Sequence, residues 1–317
     1  MRAAVVRSFE EPPEVVEFDK PVAREGEVIV RVEAAALSQL ARSQVAGTHY
    51  SSVKTPFVPG ADGVGFTADG QRVYFAFPRA PWGSMGEFTA VNKNHLIPLP
   101  IHIDSIPFAA LANPAMSSWA ALVHRAGFVK GESVLINGAN GASGRLAIRI
   151  SRVLGAKRIV VTARNTSSRA DLLDLGADAF IALENGRESV AADVTREICG
   201  GVDVVLDYLW GTPAAWVLEG IAAAAKRATP RRVRFVNIGS SAGPTATLSP
   251  AALRSSPLEL LGSGLGSVPT PTLVGAVAEV ARMLKNHTLP IRAQGVTIHG
   301  VSEYWMFDTK SRLVFTF

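Results

Sequence analysis

Three glycines at equal spacing constrain this sequence more than any other feature. They belong to the stretch Gly138-Ala139-Asn140-Gly141-Ala142-Ser143-Gly144, between the apolar segment 133–137 and the amphipathic segment 142–154. A strand, a glycine-rich turn and a helix in this order predict a phosphate-binding loop. Glycines there permit a tight turn, a close approach of the backbone to a pyrophosphate and tight helix packing, and the start of a helix favours an anion. We therefore expect residues 138–144 to bind a dinucleotide; the alternative is a glycine-rich turn without a ligand.

Strands and helices alternate around this loop, from residue 133 to about residue 262. This order predicts an α/β domain with a doubly wound parallel sheet of the Rossmann type. Gly239 and Ser240 follow the fifth predicted strand, at the sheet edge where the nicotinamide half of a dinucleotide would lie. The predicted strands are 133–137, 158–163, 179–183, 202–206, 233–238 and 258–261, and the predicted helices are 142–154, 168–175, 188–199 and 213–225.

The first hundred residues have a different pattern. Short alternating or β-branched segments are separated by Gly and Pro, as at 27–33, 64–66 and 72–77, and such a pattern predicts a compact β-rich domain. The tail is similar, since a final strand is predicted at 313–317. We therefore expect residues 1–112 and 266–317 to form one β-rich domain and residues 113–265 to form the Rossmann domain.

Composition excludes several classes of protein. The single cysteine, Cys199, excludes an internal disulfide framework and any multi-cysteine metal site. No uninterrupted apolar run reaches the ~20 residues that span a bilayer, and charge follows the first residues too soon for a secretory signal. We therefore expect a cytoplasmic protein without a membrane partner. The net charge of +5 suits an anionic small ligand, and the basic segment 226–234 is interpreted as a solvated turn, so nucleic-acid binding is not expected.

The residues after the second predicted strand indicate which dinucleotide binds. In NAD-binding chains an acidic residue about 20 positions beyond the loop accepts from the ribose 2′-hydroxyl. Here Ala163 stands 19 positions after Gly144, and Arg164 and Asn165 follow it, with Arg169 at the start of the next helix. A guanidinium without a neighbouring carboxylate favours a 2′-phosphate. We therefore expect NADPH rather than NADH, bound at Arg164, Asn165 and Arg169; the alternative is that both arginines are solvated.

A series of short motifs runs along nearly the whole chain, and their joint order is specific although each is weak alone. They are Gly26-Glu27-Val28-Ile29-Val30-Arg31-Val32, Pro59-Gly60-Ala61-Asp62-Gly63-Val64-Gly65, Gly70-Gln71-Arg72-Val73-Tyr74, Gly83-Ser84-Met85-Gly86-Glu87-Phe88, the loop 138–144, Leu175-Gly176-Ala177-Asp178 and Val202-Asp203-Val204-Val205-Leu206-Asp207. On these motifs the chain resembles the medium-chain dehydrogenase/reductase superfamily, and within it the zinc-independent quinone oxidoreductases. The resemblance implies a GroES-like, β-rich catalytic domain built from both termini, with a Rossmann domain between them.

The resemblance also implies a reaction. Superfamily members that use zinc hold it with a Cys, a His and a second Cys, and those positions fall here on Ser38, Ala61 and, approximately, Asn113. This set lacks the ligands that zinc prefers, so no metal is expected. Hydride transfer from NADPH to a quinone or an enone is then implied, with Ser38 and Tyr50 as catalytic hydrogen-bond donors and Asn113 as a third candidate. The alternatives are a local backbone bond for Ser38 and a packing or lid role for Tyr50.

Other functions are also compatible with the sequence. The chain could be a non-catalytic NADPH-binding sensor or interaction protein, or an enoyl-thioester reductase, which differs in substrate only. Segment 258–261 is predicted to be an edge strand of the Rossmann sheet. Because edge strands favour pairing with another chain, we expect a homodimer.

Overall fold

The chain divides into two compact units in a computed structural model that describes residues 1–9, 11–229, 231–307 and 311–317. Unit 1 comprises Met1–Asn113, Val277–Arg282 and Pro290–Phe317, and unit 2 comprises Pro114–Ala276 and Met283–Leu289. The domain boundary expected at 265/266 lies inside unit 2, whose main segment continues to Ala276.

Strands and helices follow the chain in this order. The strands are β1 (Arg2–Val5), β2 (Glu14–Glu17), β3 (Glu27–Ala36), β4 (Asp62–Thr67), β5 (Arg72–Ala76), β6 (Phe88–Asn92), β7 (Leu96–Pro98), β8 (Ser133–Asn137), β9 (Arg158–Ala163), β10 (Ala179–Ala182), β11 (Val204–Asp207), β12 (Val233–Asn237), β13 (Leu258–Gly262), β14 (Ala293–Thr297) and β15 (Arg312–Thr316). The α-helices are α1 (Gln39–Val45), α2 (Ser105–Trp119), α3 (Ala142–Val153), α4 (Arg169–Asp174), α5 (Gly186–Cys199), α6 (Gly211–Ala224), α7 (Pro250–Ser255), α8 (Thr270–Met283) and α9 (Val301–Met306).

Unit 1 is β-rich. Its larger sheet has the strand order β14-β15-β3-β4-β5-β7, with β6 also paired with β3, and its smaller sheet joins β1 and β2. The C-terminal strand β15 pairs antiparallel with β3, with Phe315 opposite Ala35, so the tail joins the sheet of the N-terminal residues. Alternating apolar side chains of these strands, among them Val30, Val32 and Phe315, pack into one core.

Unit 2 is built on a six-stranded sheet with the order β10-β9-β8-β11-β12-β13, in which all neighbouring strands are parallel. This arrangement confirms the doubly wound α/β fold predicted from the sequence. The central strands are mostly apolar because helices cover both faces of such a sheet, and Leu135, Val205 and Phe235 lie in its core. The strand order reverses between β8 and β11, and ligands of open α/β sheets bind outside the carboxyl ends of the strands at such a point.

One long apolar helical segment crosses the boundary between the sequences of the two units. Helix α2 continues without a break into a π-helical turn over Ala120–Arg125. The segment Ser105–Arg125 has 21 residues and is long and apolar enough to cross a membrane, since an 18-residue window within it has a mean hydropathy of 1.3, but 67% of that window is buried within the fold. Core helices have the same composition, so the segment is weak evidence for a membrane span.

Candidate functional site

The three glycines of the loop between β8 and α3 have three different environments. Gly138 has φ +89°, a conformation that favours glycine, and a Cβ there would lie 2.7 Å from the side chain of Leu209. A Cβ on Gly144 would lie 2.6 Å from the Cα of Ala139, so the helix packs directly on the loop. Gly141 faces open space, because a Cβ there would meet only the Gly138 carbonyl oxygen, at 3.9 Å. A tight bend, close helix packing and an accessible backbone are the three properties that a pyrophosphate-binding loop requires.

The helix that follows the loop begins without a side-chain cap. Gly141 is the N-cap residue of α3 and has no side chain that could accept from the first N–H groups. Unsatisfied N–H groups and the helix dipole favour a negative charge at this end. Asn140 is exposed beside it, and its Oδ1 accepts from Arg145 at 3.0 Å. The loop and the helix start can therefore hold a phosphate group.

Two buried side chains behind the loop hold it in place. The hydroxyl of Thr162, in β9, accepts from Gly138 N at 3.1 Å, and the Thr162 carbonyl accepts from Ala139 N at 2.9 Å. The same hydroxyl donates to Asn137 Oδ1 at 2.6 Å. Because Thr162 and Asn137 are fully buried, water cannot replace these hydrogen bonds if they are lost. The bend at Gly138 is thus fixed by buried hydrogen bonds as well as by its glycine.

A buried carboxylate at the end of β11 extends this network across the sheet. Asp207 accepts from the side-chain amides of Asn137 at 2.8 Å and Asn237 at 3.0 Å. It also accepts from the backbone N–H groups of Leu209 at 3.2 Å and Trp210 at 3.1 Å. Burial raises the pKa of Asp207, and the hydrogen bonds from Asn237 and Asn137 oppose that rise. The carboxylate therefore joins the ends of β8, β11 and β12 and anchors the chain that leaves β11.

This network is absent from the sequence-based predictions, although the sequence carries a signal for it. Asn137, Asp207 and Asn237 are the last residues of their strands, and Thr162 is the last but one of β9. Because parallel strands end at the same edge of a sheet, polar residues that close apolar strands are brought together there. Which of them touch depends on the strand order, which the sequence does not state directly.

A second hydrogen-bonded group supports the start of α3. The hydroxyl oxygens of Tyr208 and Ser118 lie 2.8 Å apart, and Ser118 Oγ lies 3.0 Å from the carbonyl oxygen of Ser143. Burial raises the pKa of Tyr208, so its hydroxyl keeps its proton at neutral pH and can donate to Ser118. Ser143, a predicted loop residue, is therefore held from behind through its carbonyl group.

The residues after β9 lie beside a carboxylate that the sequence-based prediction did not consider. Arg164 and Arg169 are exposed and make no ion pair within the described ranges. Glu184 Oε1 accepts from Thr166 N at 3.0 Å, and Glu184 N donates to the Arg164 carbonyl at 2.8 Å. The loop that carries Arg164 thus also contacts the Glu184 carboxylate, through Thr166 N, while no ion pair joins that carboxylate to Arg164 within the described residues. Asn165 is exposed between these groups.

The predicted residues after β12 lie at the same edge of the sheet. Gly239 N donates to the Asp207 carbonyl at 3.2 Å, and a Cβ on Gly239 would lie 2.8 Å from the Tyr208 carbonyl oxygen. Ser240 is exposed, and its carbonyl accepts from Gly243 N at 3.2 Å. The structure thus brings the loops after β8, β11 and β12 together, as the sheet order requires.

Unit 1 contains a separate buried polar group. Asp62, in β4, accepts from the Tyr74 hydroxyl at 3.1 Å and from the side-chain amide of Asn113. Burial raises the pKa of Asp62 to about 6, although the nearby Arg312 guanidinium and the two hydrogen bonds act in the opposite direction. Burial also lowers the pKa of Arg312. Asp62 therefore fixes the amide of Asn113, which is one of the candidate donors.

Comparisons with known proteins identify the family. A family model described as a zinc-binding dehydrogenase matches residues 142–282. A probable NADPH-dependent quinone reductase of Emericella nidulans is 28% identical over 359 aligned positions, which cover 99% of each chain. The quinone oxidoreductase of Rattus norvegicus is 30% identical over 66% of each chain. The structure of the quinone oxidoreductase from Thermus thermophilus aligns over 100% of both chains with a TM-score of 0.79 and 26% identity. This chain belongs to the medium-chain dehydrogenase/reductase superfamily.

Within the superfamily fold, the two predicted catalytic donors lie in unit 1. Ser38 is buried and is the N-cap of α1, where its hydroxyl accepts from Ala41 N at 3.0 Å. This is the local backbone bond that was the alternative for Ser38. The Tyr50 side chain is 72% exposed, and its ring centroid lies 4.1 Å from that of His49. The catalytic roles of Ser38 and Tyr50 stay predictions.

The resemblance places the zinc-holding positions of other superfamily members on Ser38, Ala61 and, approximately, Asn113. The Asn113 amide is engaged by Asp62, and the Ser38 hydroxyl accepts from the backbone. Across the part of the chain that the structure describes, no three His, Cys, Asp or Glu side chains are grouped as metal ligands. Zinc independence stays a prediction for metal analysis of the purified protein.

Proposed function

We propose that this chain is an NADPH-dependent oxidoreductase that delivers a hydride to a quinone or an α,β-unsaturated carbonyl compound. The observation that carries the proposal is the loop 138–144, in which each glycine has a distinct role and the helix that follows has an uncapped start. The names of the relatives in Emericella nidulans and Rattus norvegicus support a quinone as the acceptor. The Thermus thermophilus protein, described in a complex with NADPH, supports the cofactor.

The residues of unit 2 suit this cofactor. The backbone at Gly141 and the first N–H groups of α3 would hold the pyrophosphate. Arg164 and Arg169 would pair with the 2′-phosphate, since both guanidinium groups are exposed and make no ion pair within the described residues. Gly239 and Ser240 would border the nicotinamide half at the end of β12. NADPH, when bound, supplies the hydride, and the chain supplies its orientation.

The residues of unit 1 would serve the acceptor. Negative charge develops on a quinone or enone oxygen as the hydride arrives, so hydrogen-bond donors there accelerate the reaction. The Ser38 hydroxyl accepts one bond from Ala41 N and keeps its own proton to donate. The Asn113 amide carries two N–H groups, so its bond to Asp62 leaves one for another acceptor. Tyr50, the other predicted catalytic donor, also belongs to unit 1.

A substitution at Gly141 tests the proposal directly. Its φ of −72° suits any residue, and a Cβ there meets only one atom, at 3.9 Å, so Gly141→Val should fold normally. The valine side chain would fill the space that the pyrophosphate needs, and we expect NADPH affinity in calorimetry to fall at least about tenfold, or about 1.4 kcal/mol. Gly275→Ala is the matched control, because that glycine faces open space on α8.

Turnover is measured as NADPH oxidation with a panel of 1,2-quinones, 1,4-quinones and enones. Wild-type turnover of at least one acceptor class, lost in Gly141→Val and kept in Gly275→Ala, is the expected result. Binding of NADPH without turnover of any acceptor would favour the non-catalytic alternative. A chain that binds neither NADPH nor NADH would exclude the oxidoreductase.

We also propose that the chain forms a homodimer through the edge of the Rossmann sheet. Strand β13 is at the end of the strand order, and Leu260 on it is exposed. An exposed apolar edge strand favours pairing with a second copy. Light scattering of the purified protein should give twice the chain mass, and Leu260→Lys should lower it. A monomeric wild-type chain would contradict the proposal. The cytoplasmic location stays a prediction.

A further inference from the structure

Glu184 reaches the loop after β9 because of the pairing between two neighbouring strands. In the parallel pair formed by β9 and β10, Ala163 lies opposite Ala182. The loops after both strands therefore leave the sheet side by side, and Glu184 N donates to the Arg164 carbonyl at 2.8 Å. The Glu184 carboxylate then accepts from Thr166 N at 3.0 Å. Glu184, in the loop after β10, is thus hydrogen-bonded to the loop after β9.

This loop is also where the adenosine ribose is recognised in dinucleotide-binding folds, since the residue that ends the second strand faces the ribose 2′ position. Two of its cations, Arg164 and Arg169, are exposed and without an ion pair inside the described ranges. Glu184 is exposed as well, and its acidic side chain contacts Thr166 N in the same loop. A 2′-phosphate would therefore meet two attractive groups and one repulsive group.

We propose that Glu184 limits the preference of this chain for NADPH over NADH, an inference that rests on the proposed function. The carboxylate acts in two ways. Its negative charge repels a 2′-phosphate, which carries up to about two negative charges near neutral pH. Its Oε1 also occupies the N–H of Thr166, a donor that a phosphate oxygen could otherwise use. A ribose 2′-hydroxyl is neutral and is much less affected by either action.

Two substitutions separate these actions. Glu184→Gln removes the charge but keeps an oxygen that can accept from Thr166 N. Glu184→Ala removes the charge and frees that N–H. Glu188→Gln is the matched control, since Glu188 is also exposed and lies in the first turn of α5. The side chain of Glu184 is exposed, so each variant should keep the wild-type melting temperature, which is measured alongside.

The readout is the ratio of the dissociation constants for NADH and NADPH, obtained by calorimetry at low and at high salt. Relative to wild type, we expect Glu184→Gln to raise this ratio about threefold, as removing one exposed charge should. Glu184→Ala should raise it further, NADH affinity should stay constant, and added salt should shrink both effects. Glu188→Gln should leave the ratio at the wild-type value.

The possible results distinguish this inference from the proposed function. If wild type binds NADPH but neither Glu184 variant changes the ratio, Glu184 does not set specificity, while the proposed enzyme is unaffected. Equal losses of NADH and NADPH affinity in Glu184→Ala would mean that Glu184 only shapes the loop, which also overturns the inference. A wild-type chain that binds neither nucleotide overturns the proposed function and this inference together.

Discussion

Replacing Asp207 by alanine should cost unit 2 a large part of its stability. The carboxylate is buried and accepts from two side-chain amides and two backbone N–H groups. Each buried donor left without a partner costs about 1–3 kcal/mol, and the loss is partly relieved where water reaches the half-buried Trp210. We therefore expect Asp207→Ala to lower the free energy of unfolding by about 3–5 kcal/mol, as for other broken buried ionic networks.

Urea denaturation of wild type, Asp207→Ala and Asp203→Ala measures this cost. Asp203 is the matched control, because it is also an aspartate and immediately precedes β11, the strand that ends at Asp207. It accepts from Ser133 N at 2.9 Å and from the exposed Arg231 at 3.3 Å. A partly solvated carboxylate with fewer bonds should cost only about 1 kcal/mol. A loss below about 1 kcal/mol for Asp207→Ala, or equal losses for both variants, would refute the reasoning that the network is a main support of the sheet edge.

A second substitution at Asp207 should affect the loop. Asp207 holds Asn137, Asn137 accepts from Thr162, and Thr162 accepts from Gly138 N. Loosening the first bond should speed amide hydrogen exchange at Gly138 in Asp207→Asn, which keeps the shape of the side chain. Unchanged exchange at Gly138 would mean that the glycine alone fixes the bend.

Three further predictions concern other groups. Thr162→Val, which removes the acceptor for Gly138 N, should lower stability by about 1–2 kcal/mol and weaken NADPH binding in calorimetry. Because burial raises the pKa of Asp62 from 3.8 to about 6, the folded state holds this proton more tightly, so its contribution to stability falls as pH rises from about 4 to 6. The difference in unfolding free energy between wild type and Asp62→Asn should therefore change by about 2 kcal/mol over that interval, against a flat difference if Asp62 titrates normally. Atomic absorption should find far less than one zinc per chain, and one zinc per chain would contradict zinc independence.

Patterns that depend on neighbours in the chain were predicted well. The phosphate loop is local, since its glycines, its strand and its helix lie within about twenty residues, and the structure places them as the spacing predicts. The parallel sheet follows from alternating apolar runs and helical segments for the same reason. Helix α1 and strand β2 were not predicted, because each is short and its formation depends on packing in unit 1 more than on its own sequence.

The hydrogen bonds that the sequence did not predict join residues that are distant in sequence. Thr162 meets Asn137, and Asn237 meets Asp207, only because β9 pairs with β8 and β12 pairs with β11. Ser38 shows a different limit: a hydroxyl at a helix start satisfies both a catalytic pattern and an N-cap pattern. The residue type is the same in both cases, and only the position of other groups around it separates them.

Cofactor choice in this chain illustrates why register matters for specificity. The absence of an acidic residue after β9 favours a 2′-phosphate, and that inference uses one strand end alone. The alignment of Ala163 with Ala182 adds Glu184 from the next strand's loop, with a charge opposite to that of Arg164. Specificity is a difference between two binding free energies, so a single carboxylate that disfavours one ligand counts as much as a guanidinium that favours it. On the proposal made above, loss of the contact between Glu184 and Thr166 raises selectivity for NADPH without any change in the residues of the phosphate loop.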